Sequence, residues 1–361
     1  MTGLLLFQIA VILVAARLCG LLLVRLGQPP VIGEMAAGVL LGPIVFGAAF
    51  PDLHAALFPA QNLPALEALS VLGLVLFMFV IGAELRAPEG ARAQVLAAGR
   101  VAGLSALLPF GLALAVAPLL HGTLAPAGVG FWPFALYLGV ALAVTAFPVL
   151  ARIIKDRGLQ QTAVGRLALS AAAMLDVAAW LVLALLVALT GGDGWTGLAR
   201  TLAGLALLLV LVFGALKPLY AWLLRRHAAD GRPSGTVLAA LLVGLFACAA
   251  ATEWLHLHAV FGAFLFGTCL PRDDRLMHSL VERIEHLALV LLMPVFFALA
   301  GLGTTAGAFT GAGLGALLLI LLVAVAGKLA GGGLGARLSG YGTRDSLAVG
   351  SLMNARGMIE L

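Results

Sequence analysis

Apolar residues run along the chain in long blocks separated by short polar stretches. A bilayer core takes about 20 helical residues, range ~17–25. On that measure the blocks predict membrane spans at 4–24, 31–47, 65–84, 95–120, 131–154, 162–189, 197–216, 235–254, 259–271, 286–302, 310–336 and 345–361. Barrel strands would alternate apolar and polar residues over ~10-residue segments. These runs are continuous and rich in Leu, Ala, Gly and Val, which predicts helices. They are also too numerous, and mostly too long, for a signal peptide. The ninth span is short for a crossing, and two further patterns support keeping it.

The first pattern is the basic residues. Loops after the odd-numbered spans hold 17 of the 21 Lys and Arg residues, from Arg25 and Arg86 to Arg337 and Arg344. The alternate loops hold Arg200, while Arg17, Lys328 and Arg356 lie within spans. This alternation is the positive-inside rule, and adding or removing one span would break it. The N-terminus is therefore expected outside, with the first basic loop cytoplasmic. The last span runs outward and reaches Leu361 while still helical. One more helix is expected beyond it, with room for a soluble C-terminal regulatory domain.

The second pattern is an internal repeat. Val31-Ile-Gly-Glu-Met-Ala-Ala-Gly38, followed by Pro43, matches Val260-Phe-Gly-Ala-Phe-Leu-Phe-Gly267, followed by Pro271. The next helices also match, Leu76-Phe-Met-Phe-Val-Ile-Gly82 with Pro294-Val-Phe-Phe-Ala-Leu-Ala-Gly301. The units start at spans 2 and 9, an odd offset, so they face opposite ways. Inverted repeats are a signature of secondary transporters. The competing explanation is that Gly-rich membrane helices resemble one another, since small residues are common at helix contacts. Six-helix units flanking span 7 as a linker would need a thirteenth helix.

Composition closes off other classes. Apolar residues make up 63% of the 361 and charged residues 10%, against roughly 45–50% and about 25% in soluble domains. A soluble enzyme is excluded, and the fold class is an all-α polytopic membrane protein. The net charge of +5 follows from the topology, so no nucleic-acid partner is implied. Cys19, Cys248 and Cys269 show no CxxC spacing, and no HExxH or GxxxxGK[ST] motif is present. No catalytic residue, cofactor, structural metal or ATP drive is expected. A second mid-span aspartate, which an intramembrane aspartyl protease would need, is missing.

Ionisable groups deep in a bilayer are costly and point to function. Four stand out: Asp176, Lys328, Arg356 and Glu360. Asp176 lies midway along its span. Low dielectric favours the neutral acid, which suits a group that trades a proton for a cation. In Ala143-Val-Thr-Ala-Phe-Pro148, the proline leaves the Val144 carbonyl without its helical partner, and Thr145 adds a hydroxyl. Free carbonyls and hydroxyls at mid-membrane suit a hard monovalent cation, so Asp176, Thr145 and Val144 are the candidate cation/proton ligands. Lys328 and Arg356, with Asn354 and Glu360, are candidates for charge compensation. The structural alternatives are a hydrogen-bonded helix contact for Asp176, a plain proline kink, and snorkelling for the basic residues. Glu34, Glu67, Glu84 and Glu285 lie near span ends, where solvation at the interface explains them, although Glu34 also has the option of a helix contact.

Several strings resemble the monovalent cation:proton antiporter-2 family, most of all its cation/proton exchanger branch known from plants. They are Thr145-Ala-Phe-Pro-Val-Leu-Ala-Arg152, Val164-Gly-Arg-Leu-Ala-Leu-Ser-Ala-Ala-Ala173, Asp176-Val-Ala-Ala-Trp180, His258-Ala-Val-Phe-Gly-Ala-Phe264 and Leu352-Met-Asn-Ala-Arg-Gly357. The resemblance implies an inverted-repeat transporter of about 13 helices that exchanges K⁺ or Na⁺ for H⁺ in a plasma or bacterial inner membrane. It implies dimerisation helices in 1–90 and 235–303, a mobile core in 95–190 and 310–361, a linker helix in 197–225, and a homodimer. Asp176 then matches the family's essential aspartate, Thr145 its unwound helix and Lys328 its basic residue in the second repeat. The family usually has a polar residue just before the aspartate, and here it is Leu175. A passive cation channel or a transport-inactive sensor on the same fold remain the alternatives to exchange.

Overall fold

The computed structural model describes residues 2–85, 91–126, 128–189, 194–227, 234–255, 257–271, 284–303 and 311–356. Among these the regular structure is entirely helical. Nine helical stretches among the described residues are long and apolar enough to cross a bilayer. Glu360 lies outside the described residues.

The principal helices are α1 (Thr2–Arg25), α2 (Pro30–Leu41), α3 (Leu63–Glu84), α4 (Ala91–Leu124), α5 (Phe131–Ala143), α6 (Phe147–Asp156), α7 (Ala163–Leu189), α8 (Gly194–Val210), α9 (Lys217–His227), α10 (Gly235–Trp254), α11 (Ala259–Cys269), α12 (Met293–Leu302), α13 (Gly311–Leu338) and α14 (Thr343–Leu352). Single π-turns at Leu211–Leu216 and Ala288–Leu292 join α8 to α9 and lead into α12.

Three expected spans are not continuous helices, one of them 31–47, where α2 stops at Leu41 and a short helix begins at Phe46. The span at 131–154 is α5 and α6 with an extended break between them, where Val144 has φ −67° and ψ 146°. Pro148 does not merely kink a helix; it sits in the first turn of a new one, where its missing N–H costs nothing. The span at 345–361 is helical only as far as Leu352, and residues 353–356 leave the helix.

The helices sort into two sets by what they touch. α4 packs on α13, α5 and α7, and α14 packs on α13 and α7. α2 packs on α1 and α12, α11 on α3 and α10, and α12 on α3 and α1. The α8–α9 stretch reaches both sets, touching α7 on one side and α10 and α11 on the other.

Close contacts in both sets rest on small residues. Gly327, Gly331 and Gly335, four residues apart, share one face of α13 and lie against Pro109, Leu104 and Val101 of α4; a Cβ on Gly331 would stand 2.3 Å from the Leu104 carbonyl oxygen. In the other set the repeated glycines pair crosswise. A Cβ on Gly301 would meet the Gly38 backbone at 2.1 Å, and one on Gly82 would come within 3.2 Å of the Gly267 Cα. The first helix of each repeat thus packs on the second helix of the other. This is the exchange that a pseudo-two-fold axis in the membrane plane produces. The repeat glycines are buried inside one chain and not offered to another.

Candidate functional site

The two non-helical breaks meet. The Ala146 N–H donates to the Ala355 carbonyl at 3.0 Å. The Thr145 hydroxyl donates to the Met353 carbonyl at 3.0 Å. Two strands of irregular backbone therefore cross within the span region. Such backbone is tolerated there only where protein or a cavity satisfies it.

A helix leaves its last four carbonyls without partners and carries partial negative charge at that end. For α5 the two basic residues take up this role. The buried Lys328 ammonium donates to the Ala143 carbonyl and to the Thr145 hydroxyl oxygen, both at 2.5 Å. The Arg356 guanidinium donates to the Leu142 carbonyl at 3.3 Å and to the Ala324 carbonyl of α13 at 3.0 Å. Its Nε also faces the Asn354 side-chain oxygen at 3.4 Å. Lys328 is not snorkelling: it is fully buried and bound to a specific helix end.

Thr145, Lys328, Asn354 and Arg356 are thus brought into one crossing. Asp176 stands on α7, the helix packed against both α6 and α14, and is half-buried. Leu175 beside it is buried at 7% exposure among the core residues and brings no polar group. The sequence reading put the free carbonyl at Val144. Val144 lies in the extended break after α5, and the carbonyls that the two basic residues engage are those of Leu142 and Ala143 just before it. Thr145 is engaged on both sides of its hydroxyl, so a cation ligated there takes the place of the Lys328 ammonium.

A second polar cluster lies at the basic-loop end of α6. Arg152 contacts Glu34 of α2 at 3.2 Å and Asp156 at 3.1 Å. Lys155 contacts Glu84, at the end of α3, at 2.9 Å and Glu285 at 2.8 Å. Asp156 in turn accepts from the Val31 N–H at 3.4 Å. Interfacial solvation is therefore the wrong account of Glu34, Glu84 and Glu285: each is tied to a basic residue of α6. Glu67 is exposed and fits it. The sequence reading missed Arg152 and Lys155 as partners because it counted them only as loop charge. The glutamate inside the first repeat helix was the available signal.

An inverted repeat with two broken, crossing helices defines a secondary-transporter class of membrane protein. The chain belongs to the transmembrane sodium/hydrogen exchanger family, whose model matches residues 12–361. It is 37% identical over 360 residues to the Na⁺/H⁺ antiporter NhaS4 of Synechocystis, covering 99% of this chain and 88% of that one. It is 37% identical to cation/H⁺ antiporter 20 of Arabidopsis thaliana, covering 99% of this chain and 44% of that one. It is 33% identical to K⁺/H⁺ antiporter 1 of Saccharomyces cerevisiae, covering 99% of this chain and 42% of that one. The chain therefore spans less than half the length of the plant and yeast relatives. The family is one of multi-pass membrane transporters, not of enzymes.

Proposed function

We propose that the chain exchanges a monovalent cation, K⁺ or Na⁺, for H⁺. The observation that carries this reading is the crossing itself. Helix-end carbonyls and a hydroxyl are held by two basic side chains, beside the helix that carries Asp176. In this proposal Asp176 alternately binds a proton and a cation, with Thr145 and the exposed backbone of residues 142–144 completing the cation's shell. Lys328 and Arg356 keep the helix end neutralised while the site is empty. Relatives named as Na⁺/H⁺ and K⁺/H⁺ antiporters support the exchange.

The α4/α5/α7/α13/α14 set acts in this reading as the mobile core and the α1–α3/α10–α12 set as the scaffold of a homodimer. The N-terminus lies outside and the basic loops face the cytoplasm, as positive charge in the odd-numbered loops favours. The core carries the site across the scaffold in an elevator-like motion. The test is pH-dye dequenching in sealed proteoliposomes with K⁺, Na⁺ and Li⁺ added in turn. Cation-driven proton flux is expected. Cation current without proton movement would make the chain a channel, and neither would make it a sensor.

A further inference from the structure

The cluster on α6 joins the two helix sets at a mechanically sensitive place. α6 begins directly after the Thr145 break, so it is rigidly continuous with the crossing. Its last two turns carry Arg152, Lys155 and Asp156. Every partner outside α6 belongs to the other set or leads into it: Glu34 on α2, Glu84 at the end of α3, and Glu285 just before the π-turn into α12. The Val31 N–H at the start of α2 adds a bond to Asp156. The Arg157 guanidinium also donates to the Gly27 carbonyl.

The geometry is that of a fastening. Lys155 is flanked by two carboxylates within 2.9 Å, and one ammonium satisfies both. Arg152 and Glu34 are each less than one-tenth exposed, so their separation would strand the Glu34 carboxylate in a poorly solvated place, while Arg152 keeps Asp156 on its own helix. The ion pairs add to an apolar contact: Phe147 of α6 packs edge-on against Phe264 of α11, and Leu150 and Ile154 are buried in a core shared with α2 and α3.

On the other face of α6 lies a cavity of about 640 Å³, lined by Ile153, Arg157, Thr162 and Ile32, and by Ser351 and Leu352 of α14. Ser351 and Leu352 lead directly into Met353 and Asn354 of the crossing. The cavity therefore lies beside the chain that enters the site, at the same end of the molecule as the ion pairs.

We infer that Arg152 and Lys155, with Glu34, Glu84 and Glu285, form a clamp. It holds the ion-site half-helix α6 to the scaffold in the state where the basic-side cavity is open, and it must release before the site can reach the other side. The inference rests on the moving-core reading above. Arg152 and Lys155 are positioning residues: they set how long the site faces the basic side, not how tightly it holds a cation.

The test reads that population directly. In a background with Cys19, Cys248 and Cys269 replaced by alanine, Ser351→Cys reports the cavity through its labelling rate with a membrane-impermeant maleimide, applied from the basic-loop side of proteoliposomes. Lys155→Gln is expected to slow labelling by about fivefold or more, the low end of typical coupling between states, and Lys155→Arg to restore it. The double variant Glu84→Gln/Glu285→Gln removes the same clamp from the scaffold side and should slow labelling equally, which covers the case where Lys155→Gln fails to fold. The apparent KM for the cation on the opposite side should fall in both. The wild-type background is labelled with and without cation as a reference. If its labelling responds to cation while Lys155→Gln and the glutamate double variant label at the background rate, the clamp is wrong and the moving core stands. If background labelling ignores cation and proton gradients, both are wrong.

Discussion

The crossing and the α6 cluster both hold basic side chains out of water, and the partners described for them differ in kind. At the crossing, Lys328 and Arg356 face carbonyls, a hydroxyl and an amide oxygen. At the cluster, Arg152 and Lys155 face carboxylates. A basic side chain can leave neutral dipoles without stranding an opposite charge. One that leaves carboxylates strands an anion unless a proton or another cation takes its place, as the exchange proposed at Asp176 requires. With no such replacement, the carboxylate pairs of the cluster suit a place where parts are kept together.

The largest effect expected from this contrast is on transport. Asp176→Asn removes the carboxylate to which the proposal assigns the exchange, and cation-driven proton flux should fall to that of protein-free vesicles while the protein stays monodisperse. Flux at the wild-type level would move the exchange site away from α7.

Stability separates the two regions next. Arg152→Ala strands the buried Glu34 carboxylate and should cost about 3–5 kcal/mol, the range for breaking a buried pair from one side. Lys328→Met takes a partner from the Ala143 carbonyl and from the Thr145 hydroxyl oxygen, and should cost about 1–3 kcal/mol for each. Thermal melts of both variants in one detergent compare them. A Lys328→Met protein that melts like the wild type would show that these two bonds do not hold the crossing together.

Sequence reasoning reached different depths in the two regions. The repeat was legible because it is written in glycines: Gly38 and Gly267, and Gly82 and Gly301, already match as positions in the sequence, while their crosswise contacts, Gly38 with Gly301 and Gly82 with Gly267, come only from the packing. Lys328 and Arg356 were legible because a charge inside an apolar run has few innocent explanations. Which carbonyls they bind was not legible. Thr145 meets Met353 across 208 residues of chain, a contact that no local pattern announces. The cluster was the least legible. Arg152, Lys155, Glu84 and Glu285 sit where charges normally meet solvent, and only the packing of α6 on α2 and α3 turns them into pairs.

The smallest expected effect is none at all, and it bears on the neutral character of the crossing. Leu175 supplies no second carboxylate, so under the proposed exchange one proton on Asp176 would trade for one monovalent cation with no net charge moved. Lys328 is the complication. If its ammonium gave up a proton each time a cation displaced it from Thr145, a second proton would join the cycle and the exchange would become electrogenic. Its two described partners argue against that: the Ala143 carbonyl and Thr145 hydroxyl oxygens accept from an ammonium, and a displaced ammonium can still find the other helix-end carbonyls. An electrogenic cycle would feel ~2.3 kcal/mol per charge per 100 mV, a drive large enough to see in any flux assay. With Na⁺ as substrate and a K⁺/valinomycin potential imposed on the liposomes, proton flux at fixed ion gradients should not change with voltage. Flux that scales with voltage would show that Lys328 titrates during the cycle, and Lys328→Arg, which keeps its charge throughout, should then abolish the voltage dependence while exchange continues.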